Sequence, residues 1–209
     1  MGKLAFIFPG QGAQYVGMGK QIAEKYNSAD DIFRQASEAL GFDARKMVFE
    51  GDDETLKITE NTQPAILTTS IACLQPLLER GIKPDVVAGL SLGEYSAHVA
   101  AGTMSFKDAV ALVRKRGKYM QDEVPVGIGA MAAVIGLGSE AVIECCRQAS
   151  AVGIVEPANF NCPGQIVIAG EIKAVEKAAE LCKNSGAKRA VMLPVSAPFH
   201  CSMLKGAGE

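Results

Sequence analysis

The stretch DVVAGLSLGEYSA, residues 85–97, joins a β-branched apolar run to a helix-forming segment through a serine that stands between glycines. Its centre, GLSLG at residues 89–93, matches the G-x-S-x-G pattern of a nucleophile elbow, in which the serine occupies a tight turn from a strand into a helix. Small flanking residues allow the backbone to pack closely around such a turn. The pattern is short and chance matches are common, so its meaning depends on the rest of the chain.

The segments around this turn alternate between strand and helix patterns. LAFIFPG, residues 4–10, predicts a buried strand that ends in a Pro-Gly turn. The clearest helix is predicted over residues 105–123, where Ser105 and Asp108 form a capping pattern and Pro125 follows the end. Because strands that alternate with helices favour a parallel sheet, we predict an α/β core.

Residues 126–195 show a different order of elements. The predicted order is β-α-β-β-α-β, which is the ferredoxin-like split motif. We therefore predict that a small ferredoxin-like subdomain, residues 126–195, is inserted into an α/β core formed by residues 1–125 and 196–209.

Composition narrows the possible functions. The chain has 209 residues, a net charge of −2 and 6% aromatic residues without tryptophan, which argues against a basic, aromatic nucleic-acid surface. No apolar run approaches the roughly 18 residues of a membrane helix, and the N-terminal run predicts a first strand instead of a signal peptide. The six cysteines form no C-x-x-C pair and the two histidines show no zinc-ligand spacing. We therefore expect reduced thiols, no metal site and a cytoplasmic protein without a membrane segment.

A serine nucleophile needs a base within hydrogen-bond reach, and the chain offers two histidines. His98 lies seven residues after Ser91, so on one helix the two residues are about 10 Å apart and His98 cannot take the serine proton. We expect His98 to be a packing or surface residue. His200, in the apolar segment PVSAPFHCSM, is then the candidate base, and a purely structural role is the alternative.

The stretch FPGQGAQ, residues 8–14, predicts a glycine-flanked turn after the first strand. It is not a P-loop, because Gly-Lys-Ser/Thr does not follow, and Tyr15 stands where a dinucleotide fingerprint requires glycine. In hydrolase-like folds the oxyanion hole takes one N–H from the residue after the nucleophile and one from a loop after an earlier strand. Leu92 and Gln11 occupy those positions, and a plain strand-to-helix turn is the alternative.

Arg116 has an unusual position on the predicted helix over residues 105–123. It falls on the apolar stripe that contains Val113 and Met120, and a guanidinium there needs an anionic partner because burying it unpaired is costly. The partner is either an Asp or Glu of the protein or a substrate carboxylate held by a two-pronged contact. The sequence leaves both possibilities open.

Five ordered motifs together resemble a known family: FPGQGAQ, GLSLGEYSA, RKRGKYMQ, ANFNCPGQIVIAG and PVSAPFHCSM. They resemble the malonyl-CoA:acyl-carrier-protein transacylases of bacterial fatty-acid synthesis, a family that includes the acyltransferase domains of polyketide synthases. The resemblance implies a hydrolase-like α/β core with a ferredoxin-like insert and no metal or redox cofactor. It also implies that malonyl-CoA and the phosphopantetheine thiol of an acyl carrier protein are the reaction partners, and we expect a monomer.

The resemblance implies roles for the residues discussed above. Ser91 would accept the acyl group and His200 would be its base. Gln11 and Leu92 would supply oxyanion-hole N–H groups, and Arg116 would bind the malonyl carboxylate.

Further positions are assigned only from the resemblance. Asn159 and Asn161 match the rim of the family's active site, and the bulk of Phe199 would disfavour a methyl branch on the substrate. Many relatives have His where Leu90 stands in this chain. Family members also continue well beyond the position of Glu209 and carry there the group that orients the base, so we expect this chain to be an N-terminal portion or an incomplete sequence.

Two other classes of function are alternatives. A serine hydrolase such as a thioesterase would need the same serine, base and oxyanion hole, whereas a non-catalytic module that binds a carrier protein or CoA would not need Ser91 and His200. Arg116 separates transfer of malonyl groups from hydrolysis of neutral acyl chains, because a neutral chain gains nothing from an arginine in the pocket.

Overall fold

The computed structural model describes residues 2–125, 127–193, 195 and 197–209. It divides into two compact units, residues 1–118 and residues 119–209. The predicted domain boundaries differ from this division, and the two residues at the predicted boundaries, Val126 and Ser196, lie outside the described residues. The assignment of residues 196–209 to the first domain therefore stays a prediction.

The first unit contains a short parallel sheet and a set of helices. Strands β1 (Ala5–Phe8) and β2 (Val86–Gly89) pair in parallel, with Ala5 opposite Val86 and Phe8 opposite Gly89. The helices are α1 (Lys20–Lys25), α2 (Asn27–Leu40), α3 (Ala44–Glu50), α4 (Asp53–Lys57), α5 (Thr59–Glu79), α6 (Gly93–Ala100) and α7 (Phe106–Glu123), whose last residues belong to the second unit. The predicted parallel α/β arrangement is confirmed.

The core of the first unit lies between its helices. Phe33 of α2 and Leu67 and Ile71 of α5 are at most 1% exposed, and the rings of Phe33 and Phe49 meet edge to face with centroids 4.6 Å apart. Burial of each such side chain contributes about 1.5–3 kcal/mol to folding. The sheet is less covered, because Ile7 of β1 is 79% exposed.

The second unit contains the predicted ferredoxin-like order of elements. Its strands and helices are β3 (Gly129–Ile135), α8 (Ser139–Ala149), β4 (Val155–Cys162), β5 (Gln165–Glu171), α9 (Ile172–Asn184) and β6 (Arg189–Met192). The sheet has the order β4-β5-β3-β6 and all of its pairings are antiparallel. Two short 3₁₀ helices follow, Ser202–Leu204 and Gly206–Gly208.

Both faces of this second sheet are covered within its own unit. Along β5, Ile166 and Ile168 face the cluster formed with helices α8 and α9, whereas Val167 and Ala169 belong to a cluster that includes Phe199. The alternation follows from the two-residue period of a β-strand. One face of the sheet thus holds the helices, and the other holds the segment that carries His200.

Candidate active site

Ser91 occupies the tight turn between β2 and α6, as the sequence predicts. Its backbone has a φ of 51°, which is uncommon for a residue other than glycine. A Cβ atom at Gly89 would lie 1.9 Å from the carbonyl carbon of Gly93, and one at Gly93 would lie 2.3 Å from the carbonyl oxygen of Phe8. The glycines on both sides of Ser91 are therefore required by close backbone packing.

The loop after β1 lies directly beside this turn. A Cβ atom at Gly10 would lie 2.5 Å from the carbonyl oxygen of Leu90. The side chain of Gln11 donates a hydrogen bond to the hydroxyl of the buried Thr59 at 3.4 Å. Within the described part of the first unit, neither the Gln11 N–H nor the Leu92 N–H donates a hydrogen bond.

Arg116 of α7 makes direct contacts with neutral groups. Its Nη1 donates a hydrogen bond to Oε1 of Gln63 at 2.8 Å, and its guanidinium lies over the ring of Tyr95, 5.6 Å from the centroid. Among the described residues of the first unit, no carboxylate forms an ion pair with Arg116. By contrast, Arg114 on the same helix pairs with Glu60 at 3.0 Å. A protein carboxylate, one of the two partners left open by the sequence, is thus not observed there.

The environment of Arg116 is partly dehydrated. Burial lowers the pKa of its guanidinium from the usual value, while the neighbouring Tyr95 and Glu94 act in the opposite direction. An arginine remains charged under such conditions, because its usual pKa exceeds 12. A half-buried positive charge that contacts a neutral amide and a neutral ring, and has a carboxylate only nearby at Glu94, favours an anionic ligand.

Gln63 was not predicted from the sequence. It is fully buried within α5, one residue before Pro64. A buried amide needs hydrogen-bond partners, so a glutamine in the apolar run around Pro64 was a detectable signal. Its partner on α7 is 53 residues away along the chain and could not be identified from local patterns.

His98 is an exposed residue, as expected from its spacing. Its Nδ1 lies 2.9 Å from Oγ1 of Thr103, near the end of α6. That His98 is not the base stays a prediction from its spacing to Ser91.

The second unit holds the other predicted residues. His200 is exposed at a turn with a φ of 62°, directly after the buried Phe199. Asn159 and Asn161 lie near the end of β4, where Asn159 is half-buried opposite Val167 and Asn161 is exposed. The structure thus groups Phe199 and His200 in one turn and places the two asparagines on a separate strand. Their roles stay predictions.

The described residues show neither of two other kinds of site. They contain no group of three or more His, Cys, Asp or Glu side chains that could hold a metal ion. They also contain no helix with both the length and the apolar character needed to cross a bilayer.

Comparison with known proteins identifies the family. Residues 5–209 match the family model described as the acyl transferase domain. The chain belongs to this acyltransferase family. Members of this family generally use a serine nucleophile. The family match confirms the resemblance that the five sequence motifs indicated.

Individual relatives agree with this assignment. The malonyl CoA-acyl carrier protein transacylase of Bacillus subtilis is 54% identical over 210 residues, which cover 100% of this chain and 66% of that protein. The transacylase of the same name from Haemophilus influenzae is 52% identical, and the match covers 100% of this chain and 68% of that protein. The chain thus spans about two thirds of the length of these relatives.

Solved structures of this acyltransferase family are similar over almost the whole chain. An acyl carrier protein S-malonyltransferase from Vibrio cholerae has a TM-score of 0.94 at 50% identity, covering 99% of this chain and 68% of that one. A malonyl-transacylase in complex with its type II polyketide acyl-carrier protein has a TM-score of 0.96 at 47% identity, covering 99% and 67%. These likenesses confirm the predicted hydrolase-like core with a ferredoxin-like subdomain.

Proposed function

We propose that the protein transfers the malonyl group of malonyl-CoA to the phosphopantetheine thiol of an acyl carrier protein in fatty-acid biosynthesis. The names of the relatives and the family of the chain support this substrate pair. The transfer proceeds in two half-reactions through a malonyl ester on Ser91.

In the first half-reaction, the Ser91 hydroxyl attacks the carbonyl carbon of the malonyl thioester while its proton passes to the His200 imidazole. The C–S bond then breaks, the CoA sulfur takes the proton from His200, and the malonyl ester remains on Ser91. In the second half-reaction, the phosphopantetheine thiol gives its proton to His200 and attacks the ester. The Ser91 oxygen leaves and regains that proton.

The carbonyl oxygen of the reacting group becomes negative in both tetrahedral species. Backbone donors that are already in place stabilise such a charge without reorganisation. The N–H groups of Gln11 and Leu92 fit this task, because both lie beside the Ser91 turn and neither donates a hydrogen bond within the described first unit.

The environment of Arg116 is the observation that best supports malonyl as the acyl group. Its guanidinium contacts the Gln63 amide and the Tyr95 ring, and Tyr95 lies on α6 four residues after Ser91. A substrate carboxylate would complete the charge pairing of Arg116 with a bidentate contact. A thioesterase for neutral acyl chains would leave this charge without a partner.

The remaining assignments belong to the same proposal. Asn159 and Asn161 would line the rim of the site, and the bulk of Phe199 would disfavour a methyl branch, an effect of about 1–3 kcal/mol. Acyl transfer between an ester and thiols changes no oxidation state, so it needs no redox cofactor, and the N–H groups of Gln11 and Leu92 would stabilise the oxyanion without a metal ion. We further propose that the enzyme is a cytoplasmic monomer.

Intact-mass analysis of the protein mixed with malonyl-CoA tests the reaction. We expect one malonyl adduct per chain, located on Ser91 by peptide mapping, absent in Ser91→Ala and lost when a phosphopantetheinylated carrier protein is added. Loss of the adduct to water at the same rate without a carrier would favour a hydrolase. Binding of malonyl-CoA without any adduct would favour a non-catalytic binding module.

The carboxylate contact is tested by comparing malonyl-CoA with acetyl-CoA. Replacing Arg116 with Ala should lower the rate of loading from malonyl-CoA by about 100-fold, and the rate from acetyl-CoA far less, because only malonyl carries the carboxylate. Arg114→Ala is the matched control on the same helix and should leave the ratio of the two rates unchanged. Equal losses on both substrates in Arg116→Ala would contradict the assignment.

A further inference from the structure

The backbone at His200 requires support from its surroundings. A φ of 62° places this residue in the left-handed region, which costs about 1–2 kcal/mol for a residue with a side chain. Such a conformation persists only where neighbouring contacts determine it. The contacts that hold this turn therefore also set the direction of the imidazole.

The residues before His200 are held by packing. Pro198 is buried against β3, where a Cβ atom at Gly129 would lie 2.3 Å from its Cδ. Phe199 is 8% exposed and its N–H donates a hydrogen bond to the carbonyl oxygen of Ala197 at 3.1 Å. The chain thus enters the turn from a fixed, buried position.

The residues after His200 are held by one carboxylate. The Ser202 N–H donates a hydrogen bond to Oε2 of Glu156 at 2.8 Å, and the Ser202 hydroxyl donates one to Oε1 at 2.7 Å. Hydrogen bonds to a charged acceptor are roughly twice as strong as bonds between neutral groups. Both oxygens of Glu156 are therefore engaged by a single residue, two positions after His200.

Glu156 lies on an edge strand of the four-stranded sheet. It belongs to β4, where it stands opposite Ala169 of β5, and β5 is the second strand of the four-stranded sheet. The carboxylate therefore ties the His200 turn to the sheet across 46 residues of sequence. Inside the turn, the Cys201 thiol adds a local contact to the Pro198 carbonyl oxygen at 3.1 Å.

We propose that Glu156 is a positioning residue for the base: its carboxylate clamps Ser202 and thereby fixes the backbone of His200. The inference rests on the proposed function, in which His200 moves the proton of Ser91. A carboxylate that merely stabilised the 3₁₀ helix Ser202–Leu204 would affect folding but not the proton-transfer step. Kinetics of acyl-enzyme formation separate these two roles.

The test is single-turnover loading of the intact protein with malonyl-CoA. Glu156→Ala should lower the maximal loading rate about 10- to 100-fold, because a small displacement of a catalytic group has effects of this size, while half-saturation by malonyl-CoA changes less than about twofold. Glu156→Gln should lose less, because its amide oxygen can still accept the Ser202 N–H. Ser202→Ala, which keeps that N–H, should resemble Glu156→Gln.

Glu144→Ala is the matched control in the same unit. Glu144 also accepts side-chain hydrogen bonds through both oxygens, from Arg147, and it lies on α8, which covers the opposite face of the sheet from the His200 turn. We expect this variant to load at the parent rate. A similar loss in Glu144→Ala and Glu156→Ala would reveal a general effect on the unit and overturn the inference.

A His200→Ala background gives the decisive comparison. If Glu156 acts through His200, adding Glu156→Ala to His200→Ala should not lower the residual rate further. A repeated loss of the same size, or an unchanged rate in Glu156→Ala alone, would overturn the positioning role while leaving the proposed function intact. A parent protein that forms no adduct on Ser91 would overturn the proposed function and this inference with it.

Discussion

Ser91 in the first unit and His200 in the second are the two residues other than glycine that have a positive φ in the described chain. The two turns are held in different ways. At Ser91, backbone atoms pack where glycines leave no room for a Cβ, whereas at His200 the side chains of Glu156 and Pro198 hold the turn. Both proposed reacting residues thus have a backbone conformation that is strained for a residue other than glycine, and different contacts stabilise it in each turn.

This difference predicts different tolerance to substitution. A turn built from backbone contacts admits no larger residue, because the neighbouring backbone cannot move aside without loss of the strand and helix it joins. A turn held by side-chain hydrogen bonds can be loosened stepwise. Substitutions at the first turn should therefore abolish activity, and those at the second should tune it.

The largest expected effect is that of Gly93→Ala in the first turn. The added Cβ would lie 2.3 Å from the carbonyl oxygen of Phe8, so we expect a loss of about 1–3 kcal/mol of stability and no detectable loading of Ser91. Gly138→Ala is the control, because a Cβ there has nothing within 4 Å and the backbone has a φ of −70°. Normal loading in Gly93→Ala, measured by intact mass, would show that the turn is less tightly packed than described.

A second comparison concerns the two sheets. Ile168→Ala in β5 should lower the free energy of unfolding by about 2–5 kcal/mol, because Ile168 is fully buried. Ile7→Ala in β1 should change it by less than about 0.5 kcal/mol, because Ile7 is 79% exposed. Urea unfolding of both variants measures the difference. A large loss in Ile7→Ala would mean that this face of β1 is covered in the folded protein in solution.

The smallest expected effect comes from buried thiols of the second unit. Burial raises the pKa of Cys146, and also that of Cys182, from 9.0 to about 12. Between pH 9 and 12 the unfolded chain therefore binds fewer protons than the folded one, so the free energy of unfolding falls as pH rises and is unaffected below that range.

Urea midpoints at about pH 8 and about pH 10.5 check this effect, with Cys146→Ala as the comparison variant. The decrease between the two pH values should be smaller in Cys146→Ala than in the parent. An equal decrease in both proteins would show that Cys146 does not contribute to it.

The sequence predicted the elements whose patterns are local. The glycines around Ser91, the apolar stripe of α7 and the β-α-β-β-α-β order all follow from spacing and residue type. The short helices α3 and α4 were missed, because each contains only a few residues and begins at an aspartate cap, Asp43 or Asp52. Such caps are also common in turns and do not alone predict a helix.

The supporting contacts of the site could not be predicted. Gln63 and Arg116 are 53 residues apart, and Glu156 and Ser202 are 46 residues apart. No periodicity links such pairs, since their contact depends on how α5 packs on α7 and on where the chain returns to β4. Residues that carry chemistry had recognisable motifs, whereas the residues that hold them in place did not.

A structure of the protein trapped after reaction with malonyl-CoA would show whether Ser91 carries the malonyl group and whether Arg116 binds its carboxylate. We expect a malonyl ester on Oγ of Ser91, its terminal carboxylate paired with the Arg116 guanidinium and its carbonyl oxygen facing the N–H groups of Gln11 and Leu92. An adduct on another residue, or a malonyl carboxylate that points into solvent with Arg116 still bound only to Gln63, would contradict it.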